Sequence, residues 1–265
     1  MYGHYMETML TNEAFYDRLA RFYDLMNDWP ARLNYEGPFI RRVLEACAAR
    51  VVLDSACGTG QHALALAQWG FTVSGADSSV QMIARARANA AAQGLNVPFA
   101  VASLDAVYTL PGAPFDAVLC LGNSLPHVCT AAALHAALAG MAQAVRPGGA
   151  LLLHNLNYDK RWVERPRFMK LDSGTLDGRE VLVWRMADYG ETQITFHTAL
   201  FERDAAGCWT VTVNSTCQKP LFRAGLEAEL RACGFDAVQA YGNLQGVPFD
   251  AHTSDDLVLV AQKGC

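Results

Sequence analysis

From residue 51 onward, short apolar segments alternate with longer segments of helical character, and this alternation limits the fold more than any other feature. The apolar segments are hydrophobic at successive positions, so a strand formed by them would be buried on both faces. Strands of this kind, separated by helices, form a parallel sheet that helices cover on both sides through right-handed crossovers. The segments lie at residues 51–54, 72–77, 98–103, 115–122 and 150–156. The sequence therefore predicts a doubly wound, mostly parallel α/β core.

The flanks of this core have different patterns. Residues 1–50 read as an N-terminal helical cap, with a first helix from residue 12, a break at Trp29 and Pro30, and a second helix beyond it. Residues 160–222 contain period-two apolar stretches, which predict an antiparallel β insertion that covers a site as a lid. The stretches are residues 179–189, 192–202 and 208–217, with a turn at 203–207 between the last two. The predicted core comprises residues 51–159 and 223–265, and it ends with a strand at 256–263.

Composition restricts the functional class. A chain of 265 residues with 52% hydrophobic residues can bury one large core, and its net charge of -5 includes no basic run that would follow a phosphate backbone. We therefore expect no nucleic-acid partner. No apolar run has membrane-spanning length and no secretion signal precedes the first helix, which favours a cytoplasmic protein without membrane contact; a homo-oligomer is compatible with the sequence. The eight cysteines lack zinc-ligand spacing, so we predict reduced thiols and no metal, with Cys265 a free surface thiol.

A glycine-rich turn is the strongest local signal. The strand at 51–54 ends in Asp54 and runs through Gly58 and Gly60 into a helix, which matches the pattern G-x-G-x-x-A. Glycine permits a sharp turn and close approach of a ligand to the backbone. The next strand ends in Asp77, roughly twenty residues after the first glycine, where a carboxylate can accept hydrogen bonds from ribose hydroxyls. These features are common to sites for NAD and for S-adenosylmethionine.

Residues 54–60 resemble the first motif of class I S-adenosylmethionine-dependent methyltransferases, and residues 146–149 resemble their turn into the fifth strand. The resemblance extends over residues 15–263 and implies a Rossmann-like fold, S-adenosylmethionine as cofactor and S-adenosylhomocysteine as product. In that family the glycine loop meets the methionine part of the cofactor, and residues after the third strand hold the adenine. The predicted cofactor contacts are Tyr23, Trp29, Asp54, Ala56, Gly58, Gly60, Asp77, Ser78, Met82, Ser103, Leu104, Leu121 and Gly122.

Residues 121–127 and 155–159 resemble stretches of glycine N-methyltransferases and of bacterial glycine/sarcosine methyltransferases, and residues 241–263 fit the same branch. In this branch an arginine that binds the substrate carboxylate precedes the Asn-Tyr-Asp run, and here that position is Leu156. Leucine cannot form a bidentate pair with a carboxylate, so we expect a neutral or aromatic small-molecule acceptor, with nitrogen favoured over oxygen. An arginine from elsewhere in the chain would restore an amino-acid substrate. The candidates are Arg161, Arg165, Arg167 and Arg223.

Methyl transfer from a sulfonium is an in-line displacement that requires neither a metal nor a covalent intermediate. The residues expected to act on the acceptor follow the fourth and fifth strands, because ligands of such sheets bind at the carboxyl ends of strands. Asn123, His127 and Tyr158 are the predicted catalytic residues, His127 as a base or a substrate hydrogen-bond partner. The predicted substrate contacts are Tyr16, Asn157, His197 and Arg223. Aromatic faces of Tyr16, Tyr23 and Trp29 would favour a sulfonium cation.

Four alternatives remain at the level of sequence. An O-methyltransferase of a small metabolite would use the same core, and a non-catalytic protein could bind the cofactor as a sensor. An NAD-dependent dehydrogenase would share the glycine loop and Asp77, although the chain contains no Tyr-x-x-x-Lys pair. A nucleic-acid methyltransferase would carry an Asn/Asp-Pro-Pro-aromatic run after the fourth strand, where residues 121–124 read Leu-Gly-Asn-Ser.

Overall fold

The computed structural model describes residues 9–264, which form two β-sheets and the helices packed on them. Seven strands make the larger sheet, in the order β10-β11-β5-β4-β1-β2-β3. β1 to β5 are parallel, whereas β11 runs antiparallel to both β5 and β10. The predicted doubly wound, mostly parallel sheet is confirmed. The strands are β1 Val51–Asp54, β2 Thr72–Asp77, β3 Phe99–Val101, β4 Phe115–Cys120, β5 Val145–Leu156, β10 Phe235–Tyr241 and β11 Asp256–Lys263.

Both faces of this sheet are buried, and successive residues of each central strand enter opposite clusters. In β1, Val52 packs with the helices on one face while Leu53 packs with those on the other. In β4, Val118 and Leu119 divide in the same way. This alternation is why the central strands are apolar at every position. The covering helices are α2 Trp29–Ala46, α3 Gln61–Gln68 and α4 Val80–Ala92 on one face, and α5 Ala131–Ala144 and α7 Arg223–Ala232 on the other.

The N-terminal helices differ from the predicted boundaries. α1 ends at Leu19, and a 3-10 turn over Tyr23–Met26 separates it from α2. Trp29 and Pro30 begin α2 rather than interrupt a helix, because proline lacks only an N–H that the first turn does not use. The Asp28 side chain caps α2 by accepting a hydrogen bond from the Ala31 backbone N–H at 3.1 Å. α1 spans Asn12–Leu19.

A four-stranded antiparallel sheet follows β5 and the short helix α6 Tyr158–Glu164, in the simple order β6-β7-β8-β9. The sequence predicted three of these strands and missed β6, whose outward positions carry no regular apolar alternation and whose one fully buried residue is Asp172. Phe15 and Leu19 of α1 pack against Val183 and Phe196 of this sheet, so the N-terminal helix joins it to the core. The strands are β6 Phe168–Leu176, β7 Arg179–Tyr189, β8 Ile194–Arg203 and β9 Trp209–Gln218.

Candidate active site

The glycine loop after β1 contains two glycines with different structural roles. Gly58 and Gly60 both have positive φ angles, +53° and +84°. A Cβ on Gly60 would lie 2.9 Å from the Ala86 Cβ and 3.0 Å from the Phe99 ring, so this glycine is required by the packing of the loop on α4 and β3. A Cβ on Gly58 would meet only the Tyr23 ring, at 3.6 Å. Gly58 thus exposes its backbone to the space in front of the loop.

Asp77 closes β2 directly beside this loop. Its Oδ2 accepts a hydrogen bond from the Gly58 backbone N–H at 2.9 Å, and its Oδ1 accepts one from the Ser79 N–H at 2.9 Å. Burial raises the pKa of Asp77, and these two N–H groups oppose that effect. Because a carboxylate offers about four acceptor positions, Asp77 retains capacity for two more donors, such as a pair of ribose hydroxyls.

Asp54 lies behind the loop and is 1% exposed. Burial raises its pKa to about 7, the negative charge of Asp77 adds to this shift, and the Ala56 backbone N–H and Arg32 act in the opposite direction. Asp54 is therefore near its titration midpoint at neutral pH, and it lines neither of the two cavities described next. The sequence placed it among the cofactor contacts, whereas the structure buries it beneath them.

A first cavity of about 410 Å³ opens in front of the glycine loop, at the carboxyl ends of β1, β2 and β3. Its volume falls in the range of pockets that hold nucleotide-sized ligands. Predicted contacts that line this cavity are Tyr16, Tyr23, Ala56, Gly58, Asp77, Ser78, Met82, Ser103, Leu104 and His127. Asn12, Glu13, Asp105, Ser124 and Cys129 line it as well and were not predicted.

A second cavity of about 360 Å³ lies beside the first, between the sheet edge and the antiparallel sheet. The predicted residues Gly122, Asn123 and Tyr158 line this cavity. Tyr16, Tyr23 and His127 line both cavities and so form the wall between them. The further lining residues are Leu19, Met26, Arg32, His154, Leu156, Arg161, Met169, Arg185, Ala187, Tyr189, Ile194, Phe196 and Gln218.

A chain of hydrogen bonds connects five polar residues along the wall. The Tyr16 Oη lies 2.9 Å from His127 Nε2, and the Gln218 amide nitrogen lies 3.1 Å from the same Nε2. Tyr158 Oη donates to Gln218 Oε1 at 3.4 Å and accepts a hydrogen bond from Asn123 Nδ2 at 3.1 Å. All three predicted catalytic residues thus belong to one network, and Gln218, on β9, is the member that the sequence did not indicate.

His127 is neutral in this network. Burial lowers its pKa to about 4, while the Cys217 backbone carbonyl acts in the opposite direction. The Gln218 amide nitrogen can only donate, so Nε2 is the acceptor and the ring proton lies on Nδ1. The single lone pair of Nε2 is then shared between the Gln218 amide and the Tyr16 hydroxyl. Burial also raises the pKa of Tyr16 well above its usual value and that of Tyr158 to about 12. Both tyrosines therefore keep their protons at neutral pH.

Several predicted contacts lie outside both cavities. Asn157 is fully buried and caps α6, and its Nδ2 donates to the Ala251 and Ser254 carbonyls at 3.1 and 2.9 Å. Arg223 pairs with Glu227 at 2.6 Å on α7. An asparagine directly before a helix is a common capping residue, and this signal was available in the sequence.

Three further predicted contact residues also line neither cavity. His197 Nδ1 forms a hydrogen bond with the Ser215 hydroxyl oxygen at 2.8 Å within the antiparallel sheet. Trp29 donates its indole N–H to Asp24 at 2.9 Å and packs edge-on against His62. Leu121 is 3% exposed and belongs to the core cluster that α2, α3 and α4 cover.

Comparison with known protein families identifies the core. A family model described as a methyltransferase domain matches residues 52–149, which include the glycine loop, Asp77 and the segment leading into β5. Residues 52–149 are thus similar to a methyltransferase domain. Residues of this segment form most of the first cavity, Asn12, Glu13, Tyr16 and Tyr23 complete it, and the antiparallel sheet contributes to the second.

Curated relatives are similar to this chain over part of their length. It is 38% identical over 157 residues to a glycine/sarcosine N-methyltransferase of Parasynechococcus marenigrum, which covers 59% of this chain and 54% of the relative. It is 33% identical over 147 residues to the enzyme of the same name from Halorhodospira halochloris, covering 56% and 55%. The chain thus spans about half the length of the curated relatives it matches.

Solved structures share the fold. An S-adenosylmethionine-dependent methyltransferase from Clostridium acetobutylicum superposes with a TM-score of 0.77 at 16% identity, covering 94% of this chain and 99% of the other. A sugar N-methyltransferase from Streptoalloteichus gives a TM-score of 0.74 at 23% identity, covering 100% and 96%. At these identities the similarity establishes the fold alone.

Residues 9–264 also bear on the predictions about membranes, metals and cysteines. Over that range, no helix combines the length and the apolar character needed to cross a membrane. The same residues contain no group of three or more His, Cys, Asp or Glu side chains arranged to hold a metal ion. The cysteines described are all free thiols, with Cys47, Cys57 and Cys120 buried. Cys265 lies outside the described residues.

Proposed function

We propose that this chain transfers a methyl group from S-adenosylmethionine to a nitrogen atom of a small molecule. The first cavity would hold the methyl donor and the second cavity the acceptor. The observation that carries this proposal is the wall of Tyr16, Tyr23 and His127, which faces both cavities at the carboxyl ends of the parallel strands. Because the same residues line both cavities, the cavities adjoin. Ligands bound in them would be close enough for a direct transfer.

The residues of the first cavity fit the methyl donor. Asp77 has free acceptor positions for ribose hydroxyls, the Gly58 backbone is open to a ligand, and the Tyr23 ring faces Gly58. Ser103 and Leu104 follow β3, where the adenine would lie. When bound, S-adenosylmethionine supplies a methyl group already activated by the positive charge on sulfur. Aromatic faces such as that of Tyr23 favour a cation.

The wall residues favour an amine as the acceptor. Transfer to a hydroxyl group requires a base, but His127 has a pKa of about 4, and the single lone pair of its Nε2 is already shared by the Tyr16 hydroxyl and the Gln218 amide. A neutral amine carries its own lone pair and needs only orientation. Because the Tyr16 hydroxyl donates a hydrogen bond to His127, its oxygen can accept one from the amine N–H. Arg161 and Arg185 in the second cavity disfavour an ammonium ion and so favour the reactive neutral form.

Residues 160–222 would act as a lid over the acceptor. Met169, Arg185, Tyr189 and Phe196 all come from the antiparallel sheet and line the second cavity. Leu19 and Met26, from the N-terminal 50 residues, close the same cavity near α1. We propose these two segments as the substrate-binding parts of the chain and the methyltransferase core as the cofactor-binding part.

The proposal is tested by methyl transfer from labelled S-adenosylmethionine to pairs of small molecules that differ only in an amino or a hydroxyl group. We expect labelled product from amines and none from the matched alcohols, with the position of the methyl group established by mass spectrometry. Transfer confined to hydroxyl groups would assign an oxygen acceptor instead. Binding of S-adenosylhomocysteine without transfer to any small molecule would favour a cofactor sensor.

A further inference from the structure

Arginines supply the positively charged side chains that line the second cavity. Three guanidinium groups face it, those of Arg32, Arg161 and Arg185, and none of its lining residues is an aspartate or a glutamate. Charges of one sign in a partly enclosed cleft concentrate ligands of the opposite sign. A guanidinium here that has no carboxylate partner of its own would therefore favour an anionic group on whatever binds in the cavity.

The three arginines differ in how many of their hydrogen-bond donors already have a partner in the protein. Arg32 is paired with the buried Glu36 at 2.9 Å and bonds Asn27 at 2.9 Å. Arg185 pairs with the buried Asp172 through Nη2 at 2.8 Å, but its Nε is buried and has no hydrogen-bond partner within residues 9–264. Arg185 thus has one buried donor that the described residues leave without a partner, whereas both partners of Arg32 lie within the protein.

Arg161 lies beside the Tyr189 hydroxyl, and no carboxylate of the described chain forms an ion pair with it. It stands on α6 while Arg185 stands on β7, so the two side chains reach the cavity from different elements. Leu156, which ends β5, lines the same cavity and offers only an apolar surface. A carboxylate in this cavity would therefore be held from the side of α6 and the antiparallel sheet, not from the end of β5.

The rest of the cavity is apolar and large. Met169, Ile194 and Phe196 line it together with Leu156, and its volume is about 360 Å³. A ligand with the few heavy atoms of glycine would leave most of this space unfilled and its apolar walls without contacts. The position of Arg185 is also informative, because its charge acts on both Tyr16 and Tyr23. An anionic group on Arg185 thus lies close to the wall where the amine would be methylated.

We propose that the acceptor is an amino acid with a bulky apolar or aromatic side chain, whose carboxylate is bound by Arg185 and Arg161. This inference rests on the proposed function and specifies its substrate class. It replaces the neutral acceptor that Leu156 suggested, because the arginine missing at that position is compensated by two others. The apolar side chain of the substrate contacts Leu156, Met169, Ile194 and Phe196.

The test is isothermal titration calorimetry in saturating S-adenosylhomocysteine. The probes are the matched pairs phenylalanine and phenethylamine, tryptophan and tryptamine, and leucine and isoamylamine, together with glycine. We expect at least one amino acid to bind at least tenfold more tightly than both its decarboxylated partner and glycine. Arg185→Gln removes this preference and leaves the decarboxylated partner unaffected. The matched control is Arg167→Gln, which replaces an exposed arginine paired with Asp188 outside the cavity and retains the preference.

Two results would overturn this inference. One is equal binding of amino acids and decarboxylated partners across all three pairs, and the other is an unchanged carboxylate preference in Arg185→Gln. Affinity for S-adenosylhomocysteine is measured for each variant and stays at the parent value, which shows that the variant is folded. A parent chain that binds no S-adenosylhomocysteine would contradict the proposed function itself, so the two failures are distinguishable.

Discussion

The Tyr16 hydroxyl lies 2.9 Å from Nε2 of a neutral His127 and donates a hydrogen bond to that nitrogen. This bond joins α1 to the turn that follows β4, so it fixes a residue of the N-terminal segment at the wall between the two cavities. It also leaves the Tyr16 oxygen free to accept a hydrogen bond. We therefore propose that His127 positions Tyr16 and does not act as the base.

Tyr16→Phe tests the role of that oxygen. The substitution keeps the ring and its packing on Phe15 but removes the acceptor for the amine N–H and the bond to His127. We expect kcat to fall by about tenfold to a hundredfold, equivalent to about 1.4–2.7 kcal/mol, with little change in the Kd of S-adenosylhomocysteine. Steady-state kinetics and calorimetry measure the two quantities. An unchanged kcat would show that Tyr16 does not orient the acceptor.

The pH dependence of kcat tests whether His127 is a base. Its pKa of about 4 keeps it neutral above about pH 5, so it contributes no ionisation between pH 6 and 9. We expect His127→Asn to lower kcat while the shape of the profile over this range stays the same, since that shape reports ionisation of the substrate amine. The profiles are recorded with one substrate for both proteins. Loss of an acidic limb near pH 6–7 in the variant would instead identify His127 as the base.

Asp54 predicts a pH-dependent stability. Its folded pKa of about 7 lies above the value of the unfolded chain, so the folded state holds the proton more tightly. Stability from this group is therefore present at low pH and is lost as pH rises through the folded pKa. Relative to that of Asp54→Asn, the free energy of unfolding of the parent should fall by up to about 1.4 kcal/mol per pH unit between pH 4 and 7. Urea denaturation at several pH values measures the difference, and a constant difference would refute this environment for Asp54.

The two loop glycines should respond differently to alanine. Gly60→Ala combines a positive φ with a Cβ at 2.9 Å from Ala86, so we expect it to lower the free energy of unfolding by about 1–3 kcal/mol more than Gly94→Ala. Gly94 is the matched control because it shares a positive φ but has no atom within 4 Å of its Cβ position. Equal destabilisation of both variants, measured by denaturation, would show that strain alone acts at Gly60.

Gly58→Ala is expected to act on binding rather than on packing. Its Cβ meets only the Tyr23 ring, at 3.6 Å, and points into the space that the cofactor would occupy. We therefore expect its stability to match that of Gly94→Ala and its affinity for S-adenosylhomocysteine to fall at least tenfold. Calorimetry measures this affinity. An affinity of Gly58→Ala equal to that of the parent would show that the ligand binds elsewhere.

The sequence was most informative where burial imposes a pattern. β1, β2, β4 and β5 are apolar on both faces because helices cover both faces, and this signal is visible without a structure. β6 and β10 carry several exposed positions and escaped prediction for that reason. Edge strands need no continuous apolar run, since one side of each lacks a neighbour.

The residues of the candidate site also fall into those that the sequence could predict and those that it could not. Gly58 and Asp77 were predictable because the turn and the carboxylate must sit at fixed places beside β1 and β2. Gln218 and Arg185 were not, because period-two alternation in a lid predicts only which residues share a face and says nothing about which face meets the core. Their place in the second cavity depends on how the antiparallel sheet packs on α1, which no local pattern in the sequence encodes.

The most direct test of this account is calorimetric titration of the folded chain with S-adenosylhomocysteine. The account predicts one molecule bound per chain, with the affinity reduced at least tenfold in Asp77→Asn, where the acceptor for the ribose hydroxyls is impaired. Asp255→Asn, which changes an exposed carboxylate paired with Lys160, should bind like the parent. Absence of binding to the folded parent, or equal affinity of Asp77→Asn and the parent, would contradict the assignment of the first cavity to the methyl donor.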